Sequence, residues 1–120
     1  MQLPSDRISD VWFRSSAELV EVVETLGLSN ASYDAEGYWE WAIGTLDGVQ
    51  LDVTRTHLQP AVAVDTRIFR LDNAPISSDL LAKLTVRLRI LARGPVSWGR
   101  WVYRQGNDFD LEVVGHSAGD

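Results

Sequence analysis

Residues 37–57, GYWEWAIGTLDGVQLDVTRTH, decide how this chain folds. Two strand-like runs, Gly37 to Leu46 and Val49 to His57, flank Asp47-Gly48, a dipeptide suited to the two positive φ angles of a type I′ turn. A two-residue turn sets the register, so Leu46 opposes Val49, Gly44 Leu51, Ala42 Val53, Glu40 Arg55 and Tyr38 His57. On the other face Ile43 opposes Asp52, Trp41 Thr54 and Trp39 Thr56. The first face is apolar near the turn and carries a Glu40–Arg55 pair farther out. The second carries two indoles and an acid. Register leaves open which face turns inward, and Pro60 ends the second strand because it cannot donate to a ladder.

Working outward, Ile8 to Arg14 reads as a short strand. Ser15 and Glu18 have the spacing of a capping box. Leu19, Val22, Val23 and Leu26 recur at helical spacing, and Gly27 supplies a left-handed exit, so a helix is expected over about 16–26. Residues 29–36, SNASYDAE, read as a polar loop. A strand over about Val62 to Leu71 leads to a second helix over 78–93. Ser77 or Ser78 caps it, its apolar stripe is Leu80, Leu81, Leu84, Leu88 and Leu91, and Arg87, Arg89 and Arg93 crowd its end. Val86 and Ile90 form an apolar pair on its back. Val96 to Arg104 and Phe109 to Val114 form a second hairpin about Gly106-Asn107, with Tyr103 facing Asp110 and Trp101 facing Glu112; a polar tail covers 115–120. Six strands and two helices in this order give an α+β fold, a mainly antiparallel sheet with both helices on one face. The order strand, helix, hairpin occurs twice, as for a duplicated β-α-β-β unit over 8–57 and 62–114. Convergent use of the same caps and turns gives that order equally well.

At 120 residues the chain has the size of one domain, residues 1–120, and its 45 % apolar and 23 % charged content is that of a globular protein. No apolar run approaches the roughly 20 residues of a membrane span, and MQLPSDRISD carries no secretory pattern, so a cytoplasmic protein is expected. The absence of cysteine excludes disulfides, thiol catalysis and thiolate metal sites. Charge is uneven. Ten acids against Arg7, Arg14 and Arg55 leave residues 1–60 at −7, and seven acids against eight bases leave 61–120 at +1, for a net −6. Phosphate backbones would be repelled by the acidic half, which suits a basic partner or simple solubility.

Catalytic chemistry finds little footing. Neither G-x-G-x-x-G nor G-x-x-x-x-G-K-[ST] occurs, nor H-E-x-x-H, nor G-x-S-x-G. A metal site would have to unite His57, His116 and distant acids, so no metal, no cofactor and no enzymatic activity are expected. Asp108, Asp110 and Glu112 alternate along a strand, as acid–base pairs can and as a solvated strand face ordinarily does. The five tryptophans are Trp12, Trp39, Trp41, Trp98 and Trp101. In each predicted hairpin an aromatic strand adjoins an acid-bearing one: Trp39 and Trp41 neighbour Asp52, and Trp101 and Tyr103 face Asp110 and Glu112. Rings beside carboxylates suit recognition of Arg- and Lys-rich protein, through cation–π contact and ion pairing, provided they are not core beneath the helices.

In size, acidity, lack of catalytic motifs and display of Trp39, Trp41, Trp101, Asp52, Asp110 and Glu112, the chain resembles the small immunity proteins that neutralise bacterial toxins. That resemblance implies a basic toxin domain as partner, often a nuclease, whose cleft is plugged by acids. The expected partner-binding residues are therefore Trp39, Trp41, Asp52, Trp101, Tyr103, Asp110 and Glu112. The alternative is a small-molecule-binding or enzymatic domain using a groove between two repeated halves. Nucleic-acid binding through Arg87, Arg89, Arg93, Arg100 and Arg104 runs against the net charge.

Overall fold

A computed structural model describes residues 8–56, 64–103 and 109–117, and for 64–65, 101–103 and 109–112 it describes the backbone. The described elements run β1 (Asp10–Ser15), α1 (Leu19–Leu26), β2 (Ser29–Glu36), β3 (Trp39–Leu46), β4 (Val49–Thr56), β5 (Val64–Arg70), α2 (Ser78–Leu88), β6 (Ser97–Tyr103) and β7 (Phe109–His116). The seven strands form one sheet in the order β2-β3-β4-β5-β1-β6-β7, antiparallel at every pairing. The fold is α+β.

The β3–β4 hairpin forms in the expected register from Leu46↔Val49 to Trp39↔Thr56. Asp47 and Gly48 both take positive φ, 53° and 78°, as a type I′ turn requires. His57, and with it the Tyr38–His57 pairing, lies outside the described residues. The apolar face is the inner one. Ala42, Leu46, Leu51 and Val53 join Val11, Phe13 and Ile68 from β1 and β5. Leu19, Val22, Val23 and Leu26 of α1 and Leu80, Leu84 and Leu88 of α2 close over them in a single core cluster. One charged side chain enters this layer. Arg55 is buried, its Nε 3.1 Å from Glu40 Oε2 across the hairpin, and its guanidinium donates to the Ala17 carbonyl.

The polar stretch 29–36 is a strand rather than a loop. It lies at the sheet edge on β3, with Ser32↔Ile43, Asp34↔Trp41 and Glu36↔Trp39 in register and an irregularity between Ser29 and Ser32. With both faces almost wholly exposed, it has no apolar period to reveal it. The sheet therefore has seven strands instead of six. The two halves also order their strands differently. Beside the central β5–β1 pair, the first half places β4, the last strand of its meander, and the second half places β6, the first strand of its hairpin. A strict β-α-β-β duplication would put equivalent strands there.

Both helices are shorter than expected. The capping box of α1 belongs to Glu18 and Glu21, not Ser15 and Glu18. Ser15 ends β1 instead, where its Oγ accepts from Ala17 N at 3.0 Å and donates to the Leu91 carbonyl at 2.8 Å. That second bond, with Arg93 N donating to the Arg14 carbonyl at 2.7 Å, draws the chain onto β1, and α2 stops at Leu88 rather than residue 93. Ser77 caps α2, accepting from Leu80 N. Arg87 serves the neighbouring helix: its Nη1 donates at 2.5 Å to the Leu26 carbonyl, which ends α1 beside Gly27. No described helix is long and apolar enough to cross a membrane.

Candidate functional site

With both helices on one side of the sheet, alternation delivers every second residue to the other side, where no described helix packs. One cross-strand row runs Asp34, Trp41, Thr54, Arg67, Trp12 from β2 to β1. The next runs Ser32, Ile43, Asp52, Phe69, Asp10 and on to Gly99 of β6. A third, shorter row holds Glu36, Trp39 and Thr56. Trp39 is 52 % exposed, and Trp12, Trp41, Ile43 and Phe69 are half-buried. The face is thus a shallow aromatic surface with acids set among the rings.

Its electrostatics centre on two carboxylates in different states. Asp10 is 1 % exposed, and it is held by the Arg67 guanidinium and by Ser9 Oγ. Arg67 also lies over the Phe69 ring, 4.3 Å from its centroid, so the face already holds one guanidinium between a ring and an acid. Asp52, one strand further on, accepts from Thr54 Oγ1. Burial pushes its pKa above the ordinary carboxylate value, against the opposing effects of that hydrogen bond and of the Arg67 charge. At the outer edge Asp34 and Glu36 are fully in solvent's reach.

The residues expected from sequence do not form one patch. Trp39, Trp41 and Asp52 lie together as the hairpin register required. Trp101, Tyr103, Asp110 and Glu112 belong to β6 and β7 at the other end of the sheet, with β4, β5 and β1 intervening. From β3 to β6 is four strand spacings, about 19 Å. The second hairpin also takes a different register. Trp101 pairs with Leu111 and Tyr103 with Phe109, while Asp110 pairs with Val102 and Glu112 with Arg100. The five residues between Tyr103 and Phe109 move the pairing by one from that of a two-residue turn at Gly106-Asn107, which lies outside the described residues, and a shift of one exchanges the faces. The acids therefore alternate with Trp101 and Tyr103 instead of facing them.

In their place the structure contributes Trp12 and Asp10 from β1 and Arg67 and Phe69 from β5, none of which was among the expected partner-binding residues. The signal was present as period-two strings, Asp10-x-Trp12 and Arg67-x-Phe69, but only the pairing of β1 with β5 sets them side by side. His116, expected in a loose tail, ends β7 and is exposed, its Nδ1 3.1 Å from the Ser117 carbonyl oxygen. No group of three or more metal-ligating side chains occurs among the described residues. A shallow cleft of about 350 Å³ lies at the β4–β5 ends, lined by Gly48, Val49, Gln50, Arg70, Leu71 and Asp72. Its charges are already matched, since Arg70 holds Asp72 through Nε at 2.9 Å and Nη2 at 2.6 Å. Comparison with protein-family models, curated proteins and solved structures finds no match to this chain.

Proposed function

We propose that the protein is a non-enzymatic, protein-binding inhibitor, an immunity protein that neutralises a cognate bacterial toxin in the cytoplasm by occupying a basic surface of it. The observation that carries this reading is the sheet face, on which no described helix packs, where Trp39, Trp41, Asp52, Asp34 and Glu36 share three adjacent strands. Solvent-reached indoles among acids are the complement of a surface rich in Arg and Lys, where rings supply contact area and cation–π attraction and acids steer the encounter. The Arg67 guanidinium, held between Phe69 and Asp10, is the same recognition made within the chain. The groove reading finds less support: the described cleft contains neither a tryptophan nor an unmatched acid.

An inhibitor should be encoded beside its target, so the test is co-expression with the basic protein encoded by the adjacent gene. The expected result is rescue of growth and a stable complex. Trp41→Ala should weaken it by about 2 kcal/mol, mainly through faster dissociation. Asp52→Lys should slow association in a manner that high salt abolishes. A toxic neighbour that neither binds the protein nor is silenced by it would end the proposal.

A further inference from the structure

We infer that β2 is a docking edge, on which an extended, Lys- or Arg-bearing segment of the partner pairs as an eighth strand. This rests on the reading of the aromatic face as a surface for a basic protein, and it names how that protein is engaged. The outer side of β2 meets no other described strand. Over Ser32–Glu36 the strand is regular, and all five residues are exposed. Edges of this length are commonly blunted with Lys or Pro. The sequence SNASYDAE has neither, and the irregularity between Ser29 and Ser32 disturbs only the start.

Charge selects the occupant. Asp34 and Glu36 are the charged residues of β2, and both lie on the aromatic face, opposite Trp41 and Trp39. An added strand would set every second side chain directly across from them, about 5 Å away, with the indoles one strand farther on at about 10 Å. Cations at those positions would pair with the acids and lie along the rings. A second copy of this chain would bring two more acids and no cation to the same edge, on a molecule of charge −6. The edge also holds its own place-keeper: Asp34 Oδ1 accepts from Ala35 N at 2.8 Å. A cation on the incoming strand offers that carboxylate a stronger partner and releases the amide to a strand carbonyl.

The test uses the whole protein and a synthetic eight-residue peptide of alternating threonine and lysine, read by titration and by amide hydrogen exchange. Saturable binding is expected, with exchange slowed about tenfold or more at residues 32–36. N-methylation of every second peptide residue should weaken binding about tenfold in one frame, whose N–H groups face β2, and little in the other. Asp34→Lys should weaken it in both. Equal binding of both methylated frames would overturn strand addition while leaving the aromatic-face reading to its own test at Trp41. So would an absence of peptide binding, equal binding of a threonine–glutamate peptide, or protection of β2 that grows with protein concentration alone, which would make a second copy the occupant.

Discussion

Asp52 and Arg55 stand three residues apart on β4, and so on opposite faces, and illustrate opposite consequences of alternation. Asp52 is on the aromatic face with its pKa raised by burial. A carboxyl whose folded pKa exceeds its unfolded value favours the folded state below the unfolded pKa, and that contribution is lost as pH rises through the folded one. Asp52→Asn should therefore be most favourable to stability near neutral pH, and its advantage should shrink on acidification through the carboxylate range. Denaturant melts from pH 3 to pH 7 check this, and an advantage that grows on acidification would contradict it. Arg55 is buried on the helix face against Glu40. Glu40→Gln leaves that guanidinium with a weaker partner and should cost about 3 kcal/mol, whereas adding Arg55→Met should recover part of the loss. A double-mutant cycle measures the coupling; simple additivity would show the pair to be energetically idle.

Among the elements, β3 owes its path to one small residue. A Cβ at Gly44 would meet Leu28 Cβ at 2.8 Å and the Ser29 carbonyl oxygen at 3.3 Å, where the chain turns from α1 into β2. Gly44→Ala should cost about 1–3 kcal/mol by forcing that corner outward, in a thermal melt with the hairpin turn itself intact. At α2 the cap is a single bond from Leu80 N to Ser77 Oγ, so Ser77→Ala should cost about 1 kcal/mol and Ser78→Ala much less. Equal costs would remove Ser77 from that role. The hairpin β3–β4 was legible in the sequence to the individual pair because two residues of defined φ permit one register. The second hairpin was not, because a longer connection leaves pairing to the rest of the sheet. Nor was β2, whose solvated faces impose no alternation.

For the whole molecule, the consequential feature is that β1 lies between β5 and β6, a strand of the first half enclosed by two of the second. This draws one core from both halves and carries the two tryptophan-bearing hairpins to opposite ends of the sheet. It also brings Trp12, Arg67 and Phe69 between them. A partner seated on the β2–β4 end should thus be insensitive to Asp110→Lys, and sensitive to Asp34→Lys and Asp52→Lys, in association rates measured at low salt. The reverse ranking would move the binding surface to the β6–β7 end. Because a nearby cation lowers the Asp52 pKa, complex formation should release protons near the unbound pKa, and affinity should fall as pH drops through it.

The class, the Asp47-Gly48 turn, the β3–β4 register, the Gly27 exit and the buried leucines of α2 were all legible along the chain, since each follows from contacts within about a dozen residues: a φ preference, a period or a cap. Which face of the hairpin is core was settled by long-range packing alone. The two faces of an isolated hairpin differ little until helices cover one of them, and here Leu51 and Val53 join the buried stripes of both helices in one core cluster while Trp39 and Trp41 stand on the far side. Long-range contacts likewise ended α2 at Leu88 and joined Asp10 to Arg67, because those bonds link residues distant along the chain, where local preference has no say.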